Sequence, residues 1–220
     1  MKMKSPIEDV LRVMARLRAP DGCPWDREQN HRTLRRHAIE EVYELIDAIE
    51  AGDDPEMIEE LGDLLLQVVF HCQLARERGA FDFATVCRTL ADKLVRRHPH
   101  VFGDLKVTDV ATVWANWEKI KHAEKQGTRH ERPSALDGIP KHLPALLRAE
   151  KLLKKARKAK LLPAAKARRG PTRSGVGKKL FALARLAQER GWSAEELLCD
   201  ELKRQETRLR RQERTKPATG

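Results

Sequence analysis

The amino-acid sequence predicts an all-α protein, with a four-helix-bundle-like domain followed by a basic C-terminal helical extension. Apolar residues recur three and four positions apart along most of the 220-residue chain, which is the spacing of one helix face. Aromatic residues make up 5% of the chain and charged residues 35%, a composition that favours exposed helices over a β-sandwich. The sequence contains no convincing strand pattern and neither a P-loop nor a G-x-G-x-x-G fingerprint.

Turn-forming residues divide the chain into the predicted helices. The stretch "RAPDGCPWD" (18–26) holds two prolines and a glycine and is predicted to be a loop. Gly52 is expected to end one helix, and Pro55 to lie in the first turn of the next. Gly79 ends that helix, and Pro99 ends the following one because it disfavours helical geometry at His98. The predicted helices cover residues 6–18, 32–50, 55–78, 83–97, 108–125, 142–160, 177–190 and 193–213.

The stretch "GTRHERPSALDGIPKHLP" (127–144) is rich in turn residues and is a candidate domain boundary. We therefore predict one domain over residues 1–135, a basic helix and linker over 136–176, and a helical hairpin with a frayed tail over 177–220.

Positive charge is concentrated in the later part of the chain. Residues 141–220 hold 23 Lys and Arg against 8 Asp and Glu, a net charge of +15 in a chain whose total is +11.

We expect a cytoplasmic protein with no membrane association. The N-terminal stretch "MKMKSPIEDVL" lacks the apolar core of a signal peptide, and the longest uncharged apolar run, "LLLQVVFHCQLA", is too short to span a bilayer. The cysteines show no C-x-x-C spacing and are interpreted as reduced thiols; they are Cys23, Cys72, Cys87 and Cys199.

Carboxylates are crowded into the stretch "EEVYELIDAIEAGDDPEMIEELGD" (40–63). On the helix over 32–50, Glu41 and Glu44 lie three residues apart and are therefore neighbours on the helix surface. Five apolar residues share one side of this helix and are predicted to face the core; they are Ile39, Val42, Leu45, Ile46 and Ile49. The next helix is apolar nearly all round, which predicts burial on most faces. Its exceptions form a single polar stripe of Glu60, Asp63, Gln67 and His71.

The turn at 51–55 should fold these two helices antiparallel. Glu44 and Glu60 then lie at similar heights, and both acidic pairs fall roughly 7–11 Å from the turn at about 1.5 Å per residue. We predict that Glu41, Glu44, Glu60 and Asp63 converge. Ionised carboxylates beside an apolar helix require a positive partner, and oxygen ligands alone suit Mg²⁺ or Mn²⁺. The remaining acids near the turn are interpreted as a solvated face; they are Glu50, Asp53, Asp54, Glu56 and Glu59.

The pattern E-E-x-x-E followed by E-x-x-D, at residues 40–44 and 60–63, resembles the MazG family of the all-α nucleoside triphosphate pyrophosphatase superfamily. "GCPWDREQNH" (22–31) is similar to the family's C-P-W-D-x-x-Q-T-H segment, with Asn30 in place of the usual Thr. "DKLVRRHPHVFGD" (92–104), "WEKIK" (117–121) and the stretch over 134–156 also resemble family sequence. The similarity extends over residues 1–157 without a large gap.

The resemblance implies a hydrolase acting on acid anhydrides. Such enzymes cleave a nucleoside or deoxynucleoside triphosphate into the monophosphate and pyrophosphate, require magnesium, and serve in house-cleaning of the nucleotide pool. By this resemblance Glu41, Glu44, Glu60 and Asp63 would be the metal ligands, in agreement with the convergence expected from the helix geometry. Relatives form dimers through such helices, so we expect a homodimer or a higher homo-oligomer.

Hydrolysis at phosphorus needs a positioned water and cations for the phosphates. Glu40, adjacent to the expected ligands, is our candidate to orient or deprotonate that water. Lys93, Arg96 and Arg97 share one helical face and are candidate phosphate contacts, although a basic helix end favoured by the helix dipole would show the same pattern.

Three further residues are candidate substrate contacts. Trp25, on a proline-bounded loop, is a candidate for stacking on the base, and a structural tryptophan is the alternative. Trp117 resembles a substrate contact of the family. His37 precedes Glu41 by one turn and is interpreted either as facing the site or as a surface cap.

The segment over 177–213 resembles the later part of a second MazG copy. Lys178 stands where the acidic motif of that copy requires an aspartate, and no E-E-x-x-E precedes it, so we predict that this copy is degenerate and not catalytic. The alternative function for the whole chain is a non-catalytic scaffold that binds nucleotides or nucleic acid through its basic half. We favour the enzyme, and we interpret the basic half as a solvated tail rather than a nucleic-acid binder.

Overall fold

Helices are the only regular elements in the part of the chain that the computed structural model describes, residues 5–163 and 170–215. This confirms the all-α class. None of the described helices is both long and apolar enough to cross a bilayer. In chain order the helices are α1 (Pro6–Leu17), α2 (Pro24–Glu28), a 3₁₀ turn (Thr33–Arg35), α3 (His37–Ala51), α4 (Asp54–Glu77), α5 (Phe83–Arg97), α6 (Pro99–Phe102), α7 (Val110–Ala123), α8 (Ala145–Lys158), α9 (Arg173–Glu189) and α10 (Ala194–Thr215).

The turn between α3 and α4 follows the predicted chemistry. Gly52 ends α3 in the left-handed region at φ +67°, where a side chain would be strained. Asp53 caps α4 by accepting a hydrogen bond of 3.2 Å from the Glu56 backbone N–H, and Pro55 lies in the first turn. The two helices can therefore reverse direction within a few residues.

Several predicted boundaries are wrong. The loop predicted over 18–26 contains the start of α2, because Pro24 is well suited to the first turn of a helix. The helix α3 begins at His37 rather than at residue 32, and the 3₁₀ turn precedes it. The helix α9 begins at Arg173 because the Thr172 side chain caps it. The predicted frayed tail, and the centre of the predicted linker at 164–169, lie outside the described residues.

The chain divides into two compact units, Met1–Trp117 and Glu118–Gly220, and the division falls within α7. The turn-rich stretch over 127–144 predicts a later domain boundary, after residue 135, and that boundary stays a prediction.

The core of the first unit lies where α1 packs on the later half of α4. Met14 and Leu34 are almost fully buried there, and Ile7, Leu11 and Phe83 border them. The helix α4 contributes Val69, Phe70 and Leu74. The helix α3 instead packs along α4, and Ala48 is its buried contact residue.

The prediction that the apolar side of α3 faces the core is wrong for this chain. Ile39, Val42, Ile46 and Ile49 are 41% to 57% exposed, and Leu45 is only partly buried. The reason is that α3 turns the side carrying Ala48 towards α4. The predicted burial of α4 on most faces is likewise wrong for the part of the helix up to residue 68, where the exposed apolar residues are Ile58, Leu61, Leu65, Leu66 and Val68.

The core of the second unit lies between α8 and α10. Arg148, buried on α8, donates to Glu206 on α10 at 2.9 Å, and so a charged pair is enclosed beside the apolar contacts. The helix α9 contributes one buried residue, Ala187. The buried apolar cluster is Leu136, Ala145, Leu152, Ala156, Leu202 and Leu209.

Arg18 joins the end of α1 to the end of α4. Its side chain is 9% exposed, and its Nε and Nη2 atoms each donate to one oxygen of Glu77 at 2.6 Å. Its Nη1 atom donates to the backbone carbonyls of Asp26 and Gln29. The Arg18 guanidinium therefore connects Asp26 and Gln29, at the end of α2, to the C-terminal end of α4.

We expect Arg18→Ala to lower the free energy of unfolding by about 1.5–3 kcal/mol, because bonds to a mostly buried charge are removed and two carbonyls lose their donor. Urea denaturation followed by circular dichroism measures this loss. The matched control is Arg16→Ala, whose ion pair with Asp21 is solvent-exposed and should contribute less than about 1 kcal/mol. Equal losses in the two variants would contradict the role assigned to Arg18.

Candidate functional site

The α3–α4 hairpin brings three of the four predicted carboxylates together. Glu41, Glu60 and Asp63 each offer a carboxylate oxygen, and these oxygens all lie within 4.8 Å of one another. Glu60 is buried, while Glu41 and Asp63 are partly buried. The antiparallel turn places these side chains at similar heights along the two helices. The polar stripe of α4 places Glu60 and Asp63 on the same side of that helix.

Glu44, the fourth predicted carboxylate, lies at the edge of this group. It is exposed, and its negative charge adds to the burial and the Asp63 charge that raise the pKa of Glu41. Its negative charge also contributes to raising the pKa of Glu60. Glu44 is therefore next to the three-oxygen cluster but not part of its closest contacts.

The cluster is electrostatically unfavourable without a cation. Burial raises the pKa of Glu60, and the charges of Glu44, Glu56 and Asp63 add to the effect. Burial, Asp63 and Glu44 likewise raise the pKa of Glu41. Within the described ranges no Lys or Arg forms an ion pair with Glu41, Glu60 or Asp63. These carboxyls therefore favour binding a proton or a metal ion.

The residues fit a divalent metal ion. The donors are all carboxylate oxygens, which hard cations prefer. The buried Glu60 Oε2 atom has no hydrogen-bond partner among the described residues, and buried polar atoms ordinarily have one. A cation between Glu41, Glu60 and Asp63 would supply the missing interaction.

A buried amide stands behind the cluster. Gln67, one turn beyond Asp63, donates from Nε2 to Glu41 Oε1 over a long 3.4 Å, and its own Oε1 is buried with no partner among the described residues. Further along the stripe, His71 stacks on His31 with the ring planes 13° apart and the Nδ1 atoms 2.8 Å apart. Burial and His31 lower the pKa of His71.

The contact of Gln67 with Glu41 and the pairing of His31 with His71 were not predicted from the sequence. Gln67 could have been included, because it shares the stripe with Asp63. His31 lies before the 3₁₀ turn, and no spacing rule relates such a loop residue to α4. The only signal available was the "QNH" stretch at 29–31.

Glu40 faces Arg36 and His37, whereas its neighbour Glu41 faces other carboxylates. Its Oε1 accepts from Arg36 Nε at 3.0 Å, and its Oε2 lies 3.3 Å from His37 Nδ1. Trp25 meets the His37 ring edge-on at 6.0 Å between centroids. The predicted residues Trp25, His37 and Glu40 are thus together at the start of α3, and His37 partly offsets the rise in the pKa of Glu41.

The remaining predicted contacts lie on α5 and α7. The Arg97 guanidinium stands over the Trp117 ring at 4.9 Å from its centroid, and Trp114 packs edge-on against Trp117 at 5.7 Å. Lys93 is partly buried and Arg96 exposed, one turn apart on α5. Trp114 was not predicted, although its spacing of three from Trp117 places both on one helix face.

Residues 29–102 match the family model of the MazG nucleotide pyrophosphohydrolase domain. The chain is 50% identical over 151 residues to a nucleoside triphosphate pyrophosphohydrolase of Escherichia coli K12, covering 68% of this chain and 56% of that protein. It is 48% identical over 149 residues to the nucleoside triphosphate pyrophosphohydrolase/pyrophosphatase MazG of Thermotoga maritima, with 68% and 56% covered. The chain therefore spans about half the length of these two relatives.

A relative of similar length is an uncharacterized 26.1 kDa protein of Streptomyces cacaoi. It is 44% identical over 192 residues, which cover 86% of this chain and 75% of that protein. The similarity thus continues beyond the residues that match the family model, into the basic C-terminal part of the chain.

We expect Glu60→Gln to raise the melting temperature of EDTA-treated protein at pH 7 to 8. Because the pKa of Glu60 in the folded state is raised above its ordinary value of 4.5, stability from its protonated form is fully present below that value and is lost as the pH rises through the folded pKa. The amide avoids this loss, so the difference from the wild type should vanish as the pH falls below about 4.5.

Glu59→Gln serves as the control, since Glu59 is an exposed neighbour on the same helix. It should leave the melting temperature close to that of the wild type across the same pH range. A lower melting temperature for Glu60→Gln at pH 8 would show that the Glu60 carboxylate is not destabilising in the metal-free protein.

Proposed function

Because the chain belongs to the MazG nucleotide pyrophosphohydrolase family, we propose that it hydrolyses nucleoside or deoxynucleoside triphosphates to the monophosphate and pyrophosphate. The observation that carries this proposal is the convergence of the Glu41, Glu60 and Asp63 oxygens within 4.8 Å. A purely structural hairpin has no use for three carboxylates in one partly buried place, since their repulsion is unfavourable. A cytoplasmic role in removing unwanted nucleotides fits such a reaction.

The proposed metal ligands are Glu41, Glu60 and Asp63, with Glu44 at the edge. Magnesium is the proposed ion, with Mn²⁺ as the alternative, because both prefer oxygen donors. When bound, the ion would neutralise phosphate charge and lower the pKa of a coordinated water. Gln67 orients Glu41 through its amide and so helps to fix one ligand.

Glu40 is the proposed residue for orienting or deprotonating the attacking water. Its carboxylate contacts Arg36 at one oxygen and His37 at the other, one residue from a proposed ligand. A carboxylate in this place can position the attacking water. Positioning of the reactants accounts for the larger part of catalysis at phosphorus.

The proposed substrate contacts form two groups. Trp25 and His37 lie beside Glu40 and are candidates for the base or the sugar. Lys93, Arg96 and Arg97 are candidates for the phosphates, with the Trp117 ring packed against the Arg97 guanidinium. The degenerate second copy takes no catalytic part in this proposal, because Lys178 would repel a divalent cation.

A homo-oligomer is part of the proposal. The exposed apolar residues on α3 and on the first half of α4 are too numerous for a solvated surface, and contiguous apolar patches on soluble proteins commonly mark interfaces. A second copy of the same hairpin would cover them. The proposal therefore places the interface on the side of the hairpin opposite the carboxylates.

We expect the wild-type protein with Mg²⁺ to release pyrophosphate, and not inorganic phosphate, from at least one member of a panel of nucleoside triphosphates. Glu41→Gln should weaken Mg²⁺ binding and reduce turnover by more than the roughly 10–100-fold typical of losing an outer-shell partner. Glu40→Gln should keep Mg²⁺ affinity and lower kcat by about 10²–10⁴-fold. Isothermal titration and a coupled pyrophosphate assay measure the two effects separately.

The control is Glu50→Gln, which removes an exposed acid from α3 and should change neither quantity. If no triphosphate in the panel yields pyrophosphate while nucleic acid binds with steep salt dependence, the non-catalytic scaffold is correct instead. Turnover by a Glu41→Ala, Asp63→Ala double variant would contradict the assignment of the site.

We expect the wild-type protein to sediment as a multiple of the 25.2 kDa chain. Ile46→Glu should reduce the mass to a single chain, because a charge would be buried in the proposed interface. Val13→Glu is the matched control, since Val13 is also an exposed apolar residue but lies on α1. A wild-type mass of one chain would contradict the oligomer and leave the proposed activity untouched.

A further inference from the structure

The helix α10 separates its charges by side. Its inward side carries Leu202 and Leu209, which are buried in the core of the second unit. Its opposite side carries Lys203, Arg204, Arg208 and Arg211, and all four are exposed. These four cations, together with Thr207 and Gln212, line a shallow, open groove along α10, and we call this surface the α10 basic face.

The acids that could neutralise this face point the other way. Glu206 accepts from the buried Arg148 at 2.9 Å and from Arg210 at 2.8 Å. Glu213 accepts from the Ser134 hydroxyl and from the Ala135 backbone N–H. Both carboxylates of the later half of α10 are therefore used inside the unit.

The cations of the face are only weakly compensated. Lys203 pairs with Asp200 at 2.7 Å and Arg204 with Glu201 at 3.1 Å, and both pairs are more than half exposed on the cationic side, so they contribute little. Arg208 and Arg211 have no carboxylate partner in the part of the chain that the structure describes. None of the six residues that line the groove is acidic.

This arrangement is costly for a merely solvated surface. Like charges three and four residues apart on a helix repel, as Arg204, Arg208 and Arg211 must. A solvated face ordinarily mixes both signs, whereas the six residues that line this face include four cations and no acid. A bound polyanion would relieve the repulsion along the whole face at once.

We propose that the α10 basic face binds the phosphate backbone of nucleic acid, as a function of the second unit separate from the proposed hydrolysis. Arginine offers a planar fork to phosphate oxygens, and three of the four cations are arginines. No aromatic side chain lines the groove, so base stacking is not provided and the binding should be independent of sequence.

The dimensions suit a duplex. From residue 203 to residue 212 the helix rises about 14 Å, at about 1.5 Å per residue. A duplex carries one negative charge per roughly 1.7 Å of its axis, so the face spans on the order of eight phosphates. Four cations over this length can contact several phosphates of one duplex, whereas a single triphosphate would meet only some of them.

The test uses the full chain and a fluorescently labelled 20-base-pair DNA duplex, with affinity measured by anisotropy at several salt concentrations. The variant is Lys203→Gln, Arg204→Gln, Arg208→Gln, Arg211→Gln. We expect at least about tenfold weaker binding at moderate salt and a salt slope lower by about 0.9 for each phosphate that the variant no longer neutralises. Pyrophosphate release from triphosphates should be unchanged, which separates this proposal from the proposed function.

The matched control removes the same charge from exposed positions of the same unit: Lys178→Gln, Lys179→Gln, Arg185→Gln, Arg190→Gln. It should bind the duplex as the wild type does. Circular dichroism melting verifies that both variants fold. Because both variants remove four positive charges, a difference between them reports location and not total charge.

Three results would overturn the proposal. The first is no binding by the wild type at low salt. The second is an equal loss of affinity in both variants, which would indicate diffuse attraction by the whole basic chain. The third is displacement of the duplex by inorganic tripolyphosphate at the same phosphate concentration, which would identify a small-anion site. A duplex RNA probe of the same length should bind comparably, because the proposed contacts are to phosphates.

Discussion

The carboxylates enclosed between α3 and α4 are the constraint on which the first unit depends. Placing Glu41, Glu60 and Asp63 on the facing sides of the hairpin fills the contact surface of two helices with mutually repelling charges, and no Lys or Arg among the described residues pairs with them. Apolar burial must then come from elsewhere. It comes from α1 and Leu34, which pack on the later half of α4. The apolar side of the hairpin is exposed and is the surface that the proposed second copy would cover.

The helix α4 shows this division along its length. Before Gln67 its inward side is acidic and its outward side apolar, whereas after Gln67 it carries the buried residues Val69, Phe70 and Leu74 of the core. Gln67 lies at the change, with its amide on Glu41 and its side chain buried. The buried second half therefore anchors a first half whose carboxylates repel one another. Arg18 connects that anchor to the backbone carbonyls of Asp26 and Gln29 through its ion pair with Glu77.

The polar stripe of α4 could be predicted from the sequence because the spacing from Glu60 to His71 fixes its direction on any helix. The side of α3 that other elements cover could not be predicted from the sequence. Amphipathic spacing shows that two faces of a helix differ, but it does not show what packs on either face. Ile46 illustrates this: its periodicity is that of a core residue, yet it is exposed. The pairing of Glu40 with Arg36 could have been predicted, because the two residues are four positions apart in the sequence. The contact of His31 with His71 could not, because it depends on the path of a loop, which no periodicity describes.

Glu40 and Glu41 show how one residue step on a helix separates the two chemical roles that we propose for them. The step of about 100° turns Glu41 towards Glu44, Glu60 and Asp63, where we propose a cation, and turns Glu40 towards Arg36 and His37. A metal ligand needs the environment of Glu41, because binding of the cation relieves the repulsion among the carboxylates. A residue that positions water needs the environment of Glu40, because it must stay in place without being drawn onto the ion. The adjacent carboxylates are thus suited to different tasks, and His37, which contacts Glu40 and acts electrostatically on Glu41, couples the two.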